Sequence, residues 1–123
     1  MNESKLSQWP IQIKLISENH ESLDGKDLLI AADCCAFAYA NFHQDFIDGK
    51  TTVIGCPKLD GVDYTEKLTA LISNNDIKSI TVTRMEVPCC MGIAFAAKQA
   101  LENSGKNIEL KEIVIKLNGE IDA

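Results

Sequence analysis

Arginine is almost absent from this chain. Arg84 is the only one among 123 residues, and no lysine cluster stands in for it. With 18 acidic against 12 basic residues, the net charge is −6. Such a surface is a poor match for a phosphate backbone or an anionic membrane. No apolar run approaches the ~20 residues of a membrane span, and the first eight residues lack the apolar stretch of a secretory signal. Cys-x-x-Cys does not occur, so the common zinc and iron–sulfur spacings are missing. The chain has no G-x-G-x-x-G or Walker pattern, which argues against a dinucleotide or nucleotide site. It has no G-x-S-x-G, so a Ser-His-Asp triad has no signature. Repeats, low-complexity tracts and linkers are lacking too. Residues 1–123 therefore read as a single domain with a flexible N-terminal stretch over 1–8.

What is present is an alternation of strand and helix signals. Hydrophobic residues make up 46% of the chain, enough for a core without disulfides. Residues 11–16 alternate apolar and polar, the pattern of a half-buried strand. Residues 28–32 are almost wholly apolar, as in a strand covered on both faces. Further strands are expected over 51–55, 79–87 and 113–117. Helices are expected over 36–47, from about 63 to the Asn74-Asn75-Asp76 turn, and over 91–103. Tyr39, Phe42, His43 and Phe46 fall on one face of the first of these. Asp63-Tyr64-Thr65-Glu66 resembles a capping box that opens the second, with Leu68, Leu71 and Ile72 on its buried side. Strands linked by helices of this length predict right-handed crossovers. The expected fold is α/β, flavodoxin- or Rossmann-like: a mostly parallel sheet of about five strands with helices on both faces, in the order 3-2-4-5.

All five cysteines sit where a predicted strand gives way to a turn or helix. Cys34 and Cys35 follow the second strand, Cys56 the third, and Cys89 and Cys90 the fourth. Parallel neighbouring strands about 4.8 Å apart would bring these ends to one edge. Thiolates are soft ligands for zinc, Cu(I) and iron–sulfur clusters, and helix N-termini beside them lower thiol pKa values. The expected ligand set is Cys34, Cys56, Cys89 and Cys90, with Asp33, Cys35 and His43 as further candidates. Cys35 is the spare thiol, because its side chain should point away from that of Cys34. Asp33 also reads as a helix N-cap, and His43 as a packed or surface histidine. Free cysteine is often just a buried small hydrophobe. It is the shared position of all five that favours chemistry.

The odd cysteine count and the two adjacent pairs fit reduced thiols in a cytoplasmic setting better than a disulfide framework. Three functions follow. The first is a thiolate metal or iron–sulfur module passing electrons to a partner. The second is a metal-free thiol redox or sulfur-transfer protein using Cys89 or Cys90. The third is a non-catalytic docking domain whose cysteines are core residues.

Several segments resemble a known family: residues 7–12, Ala31-Ala32-Asp33-Cys34, residues 37–46, Ile54-Gly55-Cys56-Pro57-Lys58-Leu59-Asp60 and Met85-Glu86-Val87-Pro88-Cys89-Cys90. Together they are similar to bacterial and archaeal iron–sulfur cluster-binding, ferredoxin-like proteins, over roughly residues 7–121. The match is to the C-terminal α/β domain, without the usual N-terminal ferredoxin module. The resemblance implies a cluster, of 4Fe-4S type, and a ferredoxin or other redox protein as partner. Zinc or no metal are the alternatives. This chain reads Cys-Cys-Met-Gly at residues 89–92, where relatives read Cys-Cys-Gly-Gly.

Overall fold

The computed structural model describes residues 3–122. Four strands form one parallel sheet: β1 (Lys26–Ala32), β2 (Lys50–Gly55), β3 (Ile77–Met85) and β4 (Leu110–Ile115). Their order across the sheet is β2-β1-β3-β4. This is the order expected for the last four of the five predicted strands.

The apolar run in β1 explains its central place. Leu28, Leu29 and Ile30 are fully buried, and the strand pairs on both edges, with Leu28 opposite Thr51 and Ile80. From β1 the chain steps to β2 on one side. It then returns past β1 to β3 and on to β4. Right-handed crossovers therefore place the β1–β2 connection on one face and the other two connections on the opposite face. On that second face, α3 (Thr65–Asn74) and α4 (Met91–Ser104) pack against each other.

α3 buries Leu68, Leu71 and Ile72, the three positions its periodicity marks. Asp63 closes its N-terminus by accepting from Thr65 N–H at 2.9 Å and Thr65 Oγ1 at 2.6 Å. α4 carries a small-residue stripe, Ala94, Ala96, Ala97 and Ala100, that lets it lie close to the sheet and α3. It ends at Gly105, whose φ of 70° is the left-handed cap glycine favours. Glu112 on β4 ties three elements together, bonding Arg84 Nε of β3 and Lys98 Nζ of α4, each at 2.5 Å.

Two predicted elements take other forms. Residues 11–16 make no strand. Gln12 forms a single parallel bridge to Ile54 on the outer edge of β2, and the chain then turns as Leu15 N–H and Ile16 N–H both bond Gln12 O. Ile13 and Ile16, three apart, are the buried pair, while Leu15 is exposed. Their burial follows a turn rather than a two-residue alternation. The helix predicted over 36–47 breaks in two. α1 spans Cys35–Ala38, and a π-helical turn covers His43–Ile47. Tyr39 leaves the helical region, with ψ at 110°. There its ring meets Phe46 edge-on at 5.3 Å and its hydroxyl bonds Asp45 Oδ2. Aromatic packing and side-chain bonding outweigh continuation of the helix.

The stretch 1–8 was expected to be flexible, and its residues 1 and 2 lie outside the described residues. Within the rest, Leu6 packs on the core. The Gln8 amide bonds both backbone groups of Thr52, so a side chain occupies part of the open edge of β2. Among the described residues, no helix is long and apolar enough to cross a membrane.

Leu71 of α3, the helix that packs against α4, is fully buried. Leu71→Ala should cost about 2–5 kcal/mol, read as a lower midpoint in urea denaturation. A loss below about 1 kcal/mol would mean that α3 does not pack as described.

Candidate functional site: the carboxyl edge of the sheet

β1, β2 and β3 all end on one edge, and each runs into a short helical element. After β1, Asp33 N–H still bonds Gly55 O of β2 at 3.0 Å. Cys34 then caps α1 with its backbone alone and stays exposed. Cys35, the first residue of α1, is fully buried. Its thiol lies against the Thr83 hydroxyl of β3, a buried group without a regular hydrogen-bond partner. Burial pushes the Cys35 pKa up to about 11, partly offset by contacts with Thr83 and the Ala32 backbone.

After β2, Cys56 is extended and half-buried, and Pro57 opens α2 (Pro57–Asp60) at the position where its missing N–H costs nothing. Behind it Tyr64 is buried, with its hydroxyl donating to Asp60 Oδ2. The ring lies on Gly55, where an added Cβ would sit 2.7 Å from the hydroxyl oxygen. The Asp33 carboxyl titrates above its ordinary range, first because it is buried and second because Asp60 is near. The same burial and the same Asp60 carboxylate hold the Tyr64 hydroxyl firmly protonated.

After β3, a 3-10 turn over Pro88–Cys90 leads directly into α4. Cys89 is exposed and Cys90 is buried, with their sulfurs 3.9 Å apart. Burial, more than the neighbouring Cys89, raises the Cys90 pKa to about 11. The start of α4 abuts α2, since a Cβ at Gly92 would lie 3.5 Å from Pro57 Cγ. The rim of this edge is apolar. Phe37 of α1, Leu59 of α2, and Met91 and Phe95 of α4 are all exposed. Met91 and Phe95, four apart, share a helix face.

Strand order thus makes neighbours of the three cysteine-bearing strand ends without gathering three of their side chains around one point. Among the described residues, no three His, Cys, Asp or Glu side chains lie close enough together to hold a metal ion. Cys34 and Cys89 face solvent, Cys90 turns inward, and Cys56 is half-buried between α2 and its strand end. The side chains as placed do not make a ligand set for zinc or a cluster. Strand spacing sets where backbones end, and the turn after each strand sets where its thiols point.

The remaining candidates resolve individually. Asp33 does not cap α1; its Oδ1 is buried without a hydrogen-bond partner. His43 accepts from Lys5 N–H at 3.1 Å through Nδ1. Glu86, which follows β3 and was not among those candidates, accepts from Leu117 N–H at 2.6 Å, on the β4 side of its strand end. Sequence reasoning missed Tyr64, Thr52 and Thr83. Tyr64 and Asp60 lie four apart, a spacing that could have flagged the pair. Nothing local marks the two threonines. A larger depression of about 640 Å³ lies near the amino end of the sheet, beside Lys5, Lys26 and Lys50. It is remote from the cysteines, and open α/β sheets bind their ligands at the carboxyl end.

A parallel sheet with chain reversal at its centre, and short loops gathered at its carboxyl edge, defines a doubly wound α/β domain. Residues 21–122 match the family described as Rossmann-like domain, and the chain belongs to that family. It is also similar to an uncharacterized protein of Archaeoglobus fulgidus. The two are 29% identical over 119 residues, covering 96% of this chain and 84% of the relative. No solved structure matches significantly. These findings correct the resemblance drawn from the sequence motifs. The matching family is a Rossmann-like domain, and neither finding names an iron–sulfur or ferredoxin family.

Cys35 carries a pH signature. Unfolded, its thiol loses its proton near the ordinary value of about 8.5; folded, it holds the proton to about 11. Between those values the unfolded chain binds fewer protons, so stability falls as pH rises. Cys35→Ala should show a shallower fall in guanidinium midpoint between pH 8 and 10 than the wild type. Equal slopes would place the Cys35 thiol in contact with solvent.

A second prediction concerns the tight contact at Gly55. Gly55→Ala should destabilise by about 1–3 kcal/mol, because the buried Tyr64 ring cannot swing clear. Tyr64→Phe removes the nearest atom and should recover part of that loss in the double mutant, measured by urea denaturation. A double mutant no more stable than Gly55→Ala would deny the contact.

Proposed function

We propose that this domain acts through thiol chemistry at the carboxyl edge, with Cys89 as nucleophile and no metal required. The observation that carries the reading is the Cys89–Cys90 pair, 3.9 Å apart, at the start of the fourteen-residue α4. Cys89 is the exposed member. Unpaired N–H groups in the first turn of a helix favour a thiolate beside them. Cys90 is buried and its pKa is raised to about 11, so it remains a protonated thiol.

The electrophile is a sulfur of an S–S bond in a partner. The Cys89 thiolate attacks that sulfur, one new S–S bond forms, and the distal sulfur leaves as a thiolate. With a disulfide partner the product is a mixed disulfide, and a second thiol of this chain then releases the reduced partner. With a persulfide, Cys89 keeps the outer sulfur and the donor leaves as its thiol. The balance closes in both cases: the partner accepts the electron pair that the thiols supply.

A vicinal Cys89–Cys90 disulfide would be strained, since adjacent Cα atoms lie about 3.8 Å apart. Cys34, exposed at the neighbouring strand end, is the better second thiol. The apolar rim of Phe37, Leu59, Met91 and Phe95 supplies the kind of surface that a protein carrying the S–S bond would cover. Reduced thiols of this kind belong in the cytoplasm.

Timed alkylation with mass-spectrometric site assignment tests the reading. Cys89 should label first. Cys35 and Cys90 should label only on unfolding, and Cys89→Ser should remove the fast phase. Uniformly slow labelling of all five thiols would end it. Anaerobic reconstitution with iron and sulfide is the second arm. A stoichiometric cluster signal would replace this reading with electron transfer to a redox partner.

A further inference from the structure

Three soft sulfur donors follow one another where β3 hands over to α4: Cys89, Cys90 and Met91. The Cys89 and Cys90 sulfurs lie 3.9 Å apart. Cys89 is exposed and Cys90 is buried, so the pair is open to solvent on one side and backed by the core on the other. Met91 is 53% exposed and adjoins the pair on the solvent side of the helix start.

Structural zinc and iron–sulfur clusters take about four protein donors. Among the described residues no three His, Cys, Asp or Glu side chains gather, which argues against both. It leaves open an ion satisfied by two thiolates and a thioether, a donor set that selects Cu(I). The sulfur spacing suits one such ion. A thiolate bond to zinc is about 2.3 Å long, and two bonds of that length span at most about 4.6 Å. Sulfurs 3.9 Å apart fall inside that span, with the ion off the line between them and an S–metal–S angle of about 115°. A bent pair leaves the ion one open side, and Met91 is the next residue along the chain.

We propose that Cys89 and Cys90 bind one Cu(I) ion between them, with the Met91 thioether as third donor. The ion replaces the two thiol protons and enters and leaves as Cu(I), so no electron changes hands. Two thiolates and one monovalent cation carry one net negative charge. Cys90 is the N-cap residue of the fourteen-residue α4, and the positive end of that helix favours the charge. The inference uses the pair of the thiol reading but does not rest on it: a filled site would occupy the Cys89 sulfur and block its attack.

Cu(I) is titrated anaerobically into the full reduced chain against bathocuproine disulfonate, and X-ray absorption at the copper edge identifies the donors. One ion should bind per chain, with sulfur neighbours only, and affinity should rise with pH as the thiols lose their protons. Cys89→Ser, at an exposed position and with folding verified by circular dichroism, should weaken binding roughly a hundredfold. Met91→Leu should weaken it a few-fold. Cys34→Ser and Cys56→Ser should leave it unchanged. Wild-type affinity in Cys89→Ser, an equal loss in Cys34→Ser or Cys56→Ser, or nitrogen and oxygen neighbours at the copper would each overturn the proposal. Alkylation of the metal-free chain separates the two readings. Fast labelling of Cys89 without Cu(I) binding sinks this inference alone, and tight Cu(I) binding with uniformly slow labelling sinks the thiol reading alone.

Discussion

Everything at the carboxyl edge depends on the burial of β1. Its apolar residues are covered on both faces and paired along both edges, so the strand sits between β2 and β3. The chain must then leave β1 toward one face and leave β3 toward the other. The crevice between those departures is where doubly wound sheets hold their ligands. Cys34 and Cys35 begin one departure, and Cys89 and Cys90 begin the other. No side-chain contact among the thiols is needed for this; backbone pairing alone brings their chain segments together.

Two features of this edge draw on different physics. The thiol pair depends on a change of environment over one residue, where Cys89 meets water and Cys90 meets the core. In the thiol chemistry proposed above, that difference would separate a reactive sulfur from an inert one. A small apolar cavity beside β1 and β2 depends on the broken helix between those strands. A continuous helix over 36–47 would not leave α1 and the π-helical turn as separate walls. Tyr39 and Phe46 pack across the break, and Phe37 and Phe42, from the same stretch, line the space beside it.

Burial also unifies the electrostatics. The carboxyl of Asp33, the hydroxyl of Tyr64 and the thiols of Cys35 and Cys90 all titrate upward, and burial is the leading cause for each. Burial therefore favours the protonated form of the Cys35 and Cys90 thiols and of the Tyr64 hydroxyl, and it raises the Asp33 carboxyl in the same direction. Cys34 and Cys89 are the exposed thiols of this edge.

Hydrophobic pattern and turn residues determined most of the architecture by themselves. The apolar run at 28–32, the strand signals at 51–55 and 79–87, and the helix signals before Asn74 and Gly105 are local, and each reflects a burial preference that the fold satisfies. Crossover handedness then yields the strand order without reference to any contact. The N-terminal alternation misled because its pattern reports burial but not pairing: Ile13 and Ile16 are buried by a turn along β2. The placement of the cysteines at strand ends was legible in the same way, and their grouping into one ligand set was not. Whether a side chain leaving a strand end meets solvent, the core or its neighbour depends on the turn geometry of three separate loops and on what packs behind them. Asp33 and Thr52 are far apart in sequence and carry no motif. Only the packing of two adjacent strands, a broken helix and an N-terminal segment made them walls of one cavity.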